Sequence, residues 1–132
     1  MPRARGAAAH RLSRREQLVL AALSGRARPV TAQELYAELR GTRDAVGLST
    51  AYRIVHALTD RGLLHVFALE GGETGYRACG GRSHEHLVCK ECGDVQEVDG
   101  ATMRAAVAML PTEGFQVLAH RLELVGRCRT CQ

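Results

Sequence analysis

Apolar residues in the first part of the chain recur at intervals of three and four positions, which is the period of an amphipathic helix. Residues 13–16 and 31–34 each have the form Ser/Thr-x-x-Glu and directly precede such an apolar run, which is the pattern of a capping box. These signals predict one helix over about 13–24 and a second over about 31–39, with a loop between them.

A third helix is predicted from a cap at Ser49 or Thr50 to about residues 61–62, where Gly62 suits the position just after a helix end. One side of this helix is apolar, and the opposite side carries polar and aromatic residues. The apolar side is Ala51, Ile54, Val55 and Leu58, and the opposite side is Ser49, Tyr52, Arg53, His56 and Asp60. A short helix, a turn and a helix with Tyr and Arg outward are typical of a helix-turn-helix that reads the DNA major groove; an ordinary exposed helix face is the alternative.

Two strand-like runs follow, at about 64–69 and 75–79, and the glycine-rich segment 70–74 between them predicts a hairpin turn. Three helices followed by such a hairpin form a winged helix-turn-helix. We therefore expect a winged-helix DNA-binding domain over residues 1–79.

The rest of the chain predicts three further strands and one helix. The strands are expected at about 86–88, 95–98 and 116–125, and the helix at 102–110, ended by Pro111 and Gly114. A layer of so few elements is thin and has exposed strand edges. Pairing with the same layer of a second copy across a two-fold axis would stabilise it. The predicted fold class is therefore α+β, with a hinge at about 79–84 and a small α/β dimerisation domain at 85–132.

The composition is that of a globular protein, since 45% of the 132 residues are apolar and no residue type dominates. Long disordered, collagen-like and low-complexity architectures are therefore excluded. The longest apolar runs are far shorter than the ~20 residues of a membrane-spanning helix. The first ten residues carry charge without the apolar stretch of a secretory signal. We expect a soluble protein of the cytoplasm.

Positive charge is concentrated in the first half of the chain. Residues 1–63 hold 11 basic and 5 acidic residues, a balance of +6, whereas residues 64–132 hold 7 basic and 9 acidic residues, a balance of −2. This asymmetry indicates a nucleic-acid surface joined to a second module. A general preference for arginine, with 17 Arg and one Lys in the chain, is the alternative explanation.

Four of the five cysteines form two Cys-x-x-Cys pairs separated by 35 residues, Cys89 with Cys92 and Cys128 with Cys131. Disulfides do not persist in a reducing compartment, so paired thiols there are better explained as metal ligands. Two such turns complete a tetrahedron around zinc and leave no open position, which predicts a structural zinc site. A redox pair, or two unrelated pairs, is the alternative.

The fifth cysteine, Cys79, precedes His84 and His86, with two glycines directly after it. In an extended segment residues two apart share a face, so both histidines point one way and Glu85 points the other. One thiol and two imidazoles favour zinc over iron or manganese, and His65, in the preceding apolar run, is a candidate fourth ligand. A zinc hydrolase with an open position and Glu85 as its base is a distant alternative.

Four motifs together resemble the ferric uptake regulator family, and within it most of all the zinc uptake regulators of high-GC bacteria. The motifs are Asp-Ala-Val-Gly-Leu-Ser-Thr-Ala-Tyr-Arg at 44–53, Tyr-Arg-Ala-Cys at 76–79, His-Glu-His-Leu-Val-Cys-Lys-Glu-Cys-Gly at 84–93 and Cys-Arg-Thr-Cys at 128–131. The resemblance extends from about Leu12 to Cys131. It implies a homodimeric, metal-dependent transcriptional repressor, not an enzyme, that binds a palindromic operator in double-stranded DNA and controls metal uptake genes.

The resemblance also implies the sites. It places one structural zinc per chain on Cys89, Cys92, Cys128 and Cys131, and one regulatory zinc on His65, Cys79, His84 and His86. It places the DNA contacts on Arg11, Ser49, Thr50, Tyr52 and Arg53. In the family, the Tyr-Arg pair contacts bases and the basic residue before the first helix reaches the minor groove. A regulator of the same family that senses manganese, iron or nickel is the alternative, against which the Cys79 sulfur argues.

Two departures from the family pattern bear on the metal. The iron and peroxide sensors carry a histidine before the second helix, where this chain has Arg-Pro-Val at 28–30. A second regulatory site found in many members corresponds here to Ser83, Glu85, Arg104 and His120. Only Glu85 and His120 could bind metal, and Arg104 puts a cation where a carboxylate is needed, so we expect this second site to be absent or weak.

Overall fold

The computed structural model describes residues 11–79, 84–118, 120 and 122–132. The chain divides into two compact units, Met1–Cys79 and Gly80–Gln132. Of the segment predicted to be a hinge, residues 80–83 lie outside the described part of the chain.

The N-terminal unit contains three helices and a three-stranded antiparallel sheet. Its elements are α1 (Arg14–Leu23), β1 (Val30–Thr31), α2 (Ala32–Leu39), α3 (Leu48–Asp60), β2 (Leu64–Ala68) and β3 (Thr74–Ala78). The strands lie in the order β1-β3-β2, so the short strand before α2 extends the hairpin of β2 and β3. Three helices with this hairpin confirm the predicted winged helix-turn-helix.

The first two helices begin at the predicted capping boxes. The Ser13 hydroxyl accepts a hydrogen bond from the Glu16 backbone N–H at 3.2 Å, and the Glu16 carboxylate accepts one from the Ser13 N–H at 2.7 Å. Thr31 and Glu34 make the same reciprocal pair at 3.1 and 2.9 Å. Local sequence therefore sets both helix starts, because these side chains satisfy N–H groups that have no carbonyl partner within the helix.

The predicted cap of α3 is wrong. The helix starts at Leu48, with Gly47 as its N-cap and no side-chain hydrogen bond at the cap. Ser49 and Thr50 lie inside the first turn, because the helix already starts directly after the extended backbone of Gly47. The other end is as predicted, since Gly62 has a φ of +74° and takes the left-handed conformation that stops the helix.

One apolar core holds the N-terminal unit together, with contributions from all three helices and from the sheet. Its buried members are Val19, Leu23, Val30, Ala32, Leu35, Ile54, Val55, Leu58, Leu64 and Tyr76. The middle strand β3 turns Tyr76 toward this core. Because side chains alternate along a strand, Gly75 and Arg77 face the outer side of the sheet.

The C-terminal unit is a three-stranded sheet with one helix. Its elements are β4 (His84–Cys89), β5 (Val95–Asp99), α4 (Ala101–Ala108) and β6 (Glu123–Gly126). The middle strand β4 is antiparallel to β5 and parallel to β6. With α4 the described residues contain four α-helices, and none of these is long and apolar enough to cross a membrane.

The strand predicted at 116–125 is shorter in the structure. Only Glu123–Gly126 is a strand, residues 116–118 are irregular, and residues 119 and 121 lie outside the described positions. Alternating apolar and polar residues suggest a strand, but a strand also needs a partner for its backbone. β4 offers one to residues 123–126, opposite residues 86–89.

Candidate metal centres and nucleic-acid interface

The parallel pairing of β4 and β6 brings the two Cys-x-x-Cys pairs together. Cys89 is the last residue of β4 and lies opposite the last residue of β6. Because parallel strands end at the same edge of a sheet, the turns that follow them put Cys92 and Cys128 side by side, with sulfur atoms 3.8 Å apart. All four sulfur atoms, including that of Cys131, lie within 4.8 Å of one another. We call this group the four-cysteine cluster.

The thiols of the four-cysteine cluster differ in acidity. Backbone N–H groups of Cys92 and Cys128 face the Cys89 sulfur and lower the pKa of that thiol to about 6. The neighbouring thiols, Cys128 first, raise the pKa of Cys131 to about 12. Four thiolates this close repel one another unless a cation lies between them. Four sulfur donors at this spacing fit a closed tetrahedral zinc site, whereas hard cations such as magnesium and calcium prefer oxygen.

In the N-terminal unit, His65 and Cys79 form a second group of ligand atoms, which we call the N-terminal ligand pair. His65 lies opposite Arg77 in the register of the hairpin, and Cys79 is two residues beyond Arg77, so the three side chains share the outer face. The ligand atoms of His65 and Cys79 lie within 4.8 Å of each other, and both residues are half-buried. An imidazole and a thiol at this separation fit two corners of a zinc site.

In the C-terminal unit, His84 and His86 form the C-terminal ligand pair on one face of β4. Their Nε2 atoms are 3.1 Å apart, and their rings meet edge to face with centroids 4.7 Å apart. On the neighbouring strand β5, a Glu97 carboxylate oxygen lies 3.9 Å from His84 Nε2. The two Nε2 atoms are close enough to share one metal ion, and the Glu97 carboxylate adds negative charge near them.

Glu85 lies on the opposite face of β4, as strand alternation predicts, and is only 7% exposed. One of its carboxylate oxygens is 2.6 Å from His120 Nε2. Within the described residues, no further histidine, cysteine or carboxylate joins these two side chains in a metal-sized cluster. Of the other two positions expected at the second regulatory site, Arg104 is exposed on α4 and Ser83 lies outside the described residues. Glu85 and His120 thus bind each other directly.

Helix α3 carries most of the residues predicted to contact DNA. Ser49 and Arg53 are exposed, and Arg53 Nη2 donates to the Thr50 hydroxyl at 3.2 Å. Tyr52 is half-buried and packs against the core of the N-terminal unit. Arg11, which precedes α1, is exposed. An exposed arginine beside an anchored tyrosine is suited to hydrogen bonding with base edges in the major groove.

Two charged residues next to the ligand pairs, Arg77 and Glu97, are absent from the sequence-based predictions. Arg77 Nη1 donates to Cys79 Sγ at 3.2 Å, and Glu97 lies opposite His86 in the β4–β5 register. Arg77 could have been found from the sequence, because it lies two residues before Cys79 and residues two apart on a strand share a face. The position of Glu97 depends on the register between two strands, which no local pattern gives.

Comparison with known proteins settles the family. The family model of the ferric uptake regulators matches residues 8–125. This chain belongs to the ferric uptake regulator family. A relative within the family, a zinc uptake regulation protein of Mycobacterium tuberculosis, is 36% identical over 103 residues, which are 77% of this chain and 79% of that protein.

Two solved structures of ferric uptake regulator family proteins also resemble the chain. FurB of M. tuberculosis, a zinc uptake regulator, is 33% identical with a TM-score of 0.51, over 90% of this chain and 93% of that one. The ferric uptake regulator of Vibrio cholerae is 28% identical with a TM-score of 0.63, over 89% of this chain and 92% of that one. The latter structure was described for a rearrangement of its DNA-binding domains.

Proposed function

We propose that this member of the ferric uptake regulator family is a zinc-responsive transcriptional repressor that binds operator DNA as a homodimer. The observation that carries the proposal is that each of the two units presents a pair of metal ligands, His65 with Cys79 and His84 with His86. The zinc uptake regulation protein and FurB of M. tuberculosis support zinc as the metal. The DNA-binding domains of the V. cholerae relative support operator DNA as the target.

The two ligand pairs together form the proposed regulatory site. Each pair supplies two of the four ligands that zinc prefers. Cys79 and His84 are five residue steps apart, which limits their separation to roughly 18 Å of extended chain. His65 and Cys79 would bind from the winged-helix domain, and His84 and His86 from the dimerisation domain. Zinc held by these four residues would link the two domains.

The proposed switch is a shift in population between orientations of the two winged-helix domains in a dimer. When the ligand pairs are apart, the segment at about 79–84 acts as a hinge, and the two α3 helices rarely match both half-sites of a palindrome. When the four ligands share one ion, the hinge is restricted. The α3 helices then favour a separation of about 34 Å, one turn of the DNA, and metal uptake genes are repressed.

The four-cysteine cluster is proposed to hold a second, structural zinc in each chain. Its four thiol ligands fill the tetrahedron and leave no position for exchange. Cys89 and Cys92 follow β4, while Cys128 and Cys131 follow β6, so the ion would fasten the chain after β6 to the middle of the sheet. This zinc is expected to support the dimerisation domain without responding to zinc supply.

The C-terminal unit is proposed to form the dimer interface. It exposes many large apolar side chains, which in a protein surface usually mark a contact with a partner. They are Val98, Met109, Leu110, Phe115, Val117, Leu118, Leu124 and Val125. A two-fold dimer would cover them and present two winged-helix domains to a palindromic operator.

The winged-helix domain is proposed to bind DNA through α3 and the segment before α1. Tyr52 and Arg53, with Ser49 and Thr50 at the start of the helix, would face the major groove, and Arg11 the minor groove. Arginine contacts with phosphates supply affinity that falls with salt, while contacts with bases supply sequence preference. A protein that binds operator DNA in this way would act in the cytoplasm.

The alternatives fit less well. A regulator of manganese, iron or nickel is disfavoured by the Cys79 sulfur, which suits zinc better. Iron sensing is further disfavoured because residues 28–30 lack the expected histidine. A hydrolase would need Glu85 as its base, but the Glu85 carboxylate lies on the opposite face of β4 from His84 and contacts His120. The family is one of transcription regulators.

The test compares a Cys79→Ser variant with the unaltered chain. Operator DNA is selected from a random pool with the zinc-loaded protein, and binding is followed in a shift assay during zinc titration. The unaltered dimer is expected to hold two zinc ions per chain and to gain at least tenfold in operator affinity with zinc, a coupling typical of allosteric sites. Cys79→Ser should keep one zinc per chain and the dimer, yet lose the zinc dependence.

Cys92→Ser is the matched control, since it removes one thiol from the four-cysteine cluster. It should lose the structural zinc and weaken the dimer. If the operator affinity of the unaltered chain did not change with zinc, the proposed function would be refuted. Loss of the dimer in Cys79→Ser, with the switch kept in Cys92→Ser, would show that the two zinc sites are assigned the wrong way round.

A further inference from the structure

Arg77 touches the N-terminal ligand pair but cannot itself bind metal. It lies on β3 opposite His65 and two residues before Cys79, and its Nη1 donates to the Cys79 sulfur at 3.2 Å. A guanidinium has five N–H donors and no acceptor, so it offers no lone pair to an ion. It can act on the site through its charge and through the hydrogen bond to sulfur.

A second hydrogen bond holds the arginine in place. Its Nε donates to the Ala27 carbonyl at 3.3 Å, in the loop that leads into β1. The same loop lies close against β3, because a Cβ added at Gly75 would come within 2.7 Å of Pro29 Cβ. The guanidinium is thus held by both the Cys79 sulfur and the Ala27 carbonyl.

Zinc binding at Cys79 adds positive charge beside Arg77 in every protonation state of the thiol. If the free thiol keeps its proton, exchanging H⁺ for Zn²⁺ raises the local charge by one unit. If it is ionised, the local charge rises by two. The guanidinium stays charged at any physiological pH, so in both cases it repels the added charge. Carboxylates beside metal-bound histidines have the opposite effect and strengthen binding.

We propose that Arg77 is a positioning residue of the regulatory site that orients the Cys79 sulfur and lowers the affinity of the site for zinc. This inference rests on the proposed function, in which Cys79 is a ligand of the regulatory zinc. The arginine sets the zinc concentration at which the site fills, and its removal produces a repressor that is loaded at a lower concentration.

The test measures zinc affinity of the full-length dimer, with the structural zinc in place, by competition with a chelating dye at fixed pH. Arg77→Met and Arg77→Gln are expected to bind the regulatory zinc roughly tenfold more tightly, the effect of removing one partly screened charge at this distance. Arg77→Lys keeps the charge and should stay close to the unaltered protein. Arg43→Met removes one charge from the exposed turn between α2 and α3 and should change nothing.

A spectroscopic measurement separates this role from simple support of the fold. With Co²⁺ in the regulatory site, the sulfur-to-cobalt charge-transfer band should move to longer wavelength in Arg77→Met. The shift is expected because loss of an N–H donor raises the energy of the sulfur lone pairs. Arg43→Met should leave the band in place. Arg77→Met and Arg43→Met are compared as dimers that retain the structural zinc.

Unchanged or weaker zinc binding in both Arg77→Met and Arg77→Gln would overturn the role of Arg77. A charge-transfer band that does not move would do the same. By contrast, an unaltered chain that binds no zinc beyond the one in the four-cysteine cluster would overturn the regulatory site itself. The two failures are therefore distinguishable by the zinc content of the unaltered protein.

Discussion

Tyr52 and Arg53 are neighbours in α3 but are held in different ways. Tyr52 packs against the core, and its ring lies 6.3 Å from that of His56. Arg53 is exposed and donates to the Thr50 hydroxyl at 3.2 Å. The tyrosine is thus part of the packing of the domain as well as of its proposed DNA surface. The arginine can be changed without disturbing the core.

Arg53→Ala is expected to reduce the preference for operator over random DNA by about 1–3 kcal/mol, because the side chain proposed to read a base edge is lost. The thermal unfolding midpoint should hardly change, since an exposed side chain contributes little to stability. Competition shift assays with operator and random duplexes give the first quantity, and thermal unfolding followed by circular dichroism gives the second.

Arg104→Ala on α4 is the charge-matched control for this experiment, because it removes one exposed arginine from the C-terminal unit. It should retain the preference for operator DNA. Equal losses of preference in Arg53→Ala and Arg104→Ala would mean that Arg53 contributes only general charge.

The direction of a single side chain could be predicted only where it follows from the alternation of side chains along one strand. The opposite orientations of Glu85 and the two flanking histidines are of this kind, and the structure confirms them. The contact of Glu85 with His120 spans 35 residues, and Glu97 reaches His84 from another strand. Both depend on which backbones lie side by side, which the spacing within one segment does not encode.

Strand β3 is closely surrounded by other parts of the N-terminal unit. It pairs with β1 on one side and β2 on the other, and the loop before β1 contacts it at Gly75 and Arg77. A Cβ at Gly75 would lie 2.7 Å from Pro29 Cβ and 3.0 Å from a Leu69 methyl group. The proline ring is rigid and cannot yield as a flexible side chain would. Glycine at this position therefore permits the close approach.

Gly75→Ala is expected to lower the free energy of unfolding by about 1–3 kcal/mol, the usual cost of overpacking a closely packed site. Urea unfolding of the zinc-loaded protein measures the change. Gly126→Ala in β6 is the matched control, because it adds the same methyl group to a strand glycine with no atom within 4 Å of the new Cβ. A Gly75→Ala variant as stable as Gly126→Ala would show that the loop can shift at no cost.

Element boundaries were predictable where side chains themselves terminate the element. The capping boxes at Ser13 and Thr31 set the starts of α1 and α2, and Gly62 sets the end of α3. The start of α3 depends on the backbone of Gly47, which has no side chain to signal it. The length of β6 is limited by pairing with β4, so alternation in sequence overestimates it.

At the scale of the whole molecule, the two units differ in how much apolar surface they bury by themselves. The N-terminal unit has a core built from three helices and a sheet. In the described part of the C-terminal unit, Phe115 is 72% exposed and Leu118 is 86% exposed. Exposed apolar groups of this size are costly in water, so the unit would gain stability if, as proposed, a second copy covered them.

Leu118→Asp is expected to shift the protein from dimer to monomer, because a carboxylate buried at the proposed interface would lose its hydration. Light scattering coupled to size-exclusion chromatography at several concentrations measures the change. Val66→Asp makes the same substitution at a 49% exposed position of β2 and should remain a dimer. If Leu118→Asp still dimerises as tightly as Val66→Asp, the interface lies on another part of the unit.

All 11 basic residues in the first 63 positions are arginines, and the one lysine of the chain is Lys90. Guanidinium groups do not lose their proton in cells, and acetylation, which neutralises lysine, has no target among them. The attraction of this half of the molecule for polyanions is therefore permanent. A metal-free dimer should accordingly stay loosely bound to the chromosome and slide along it. Repression would then be relieved because the dimer leaves the operator sequence, although it does not leave the DNA.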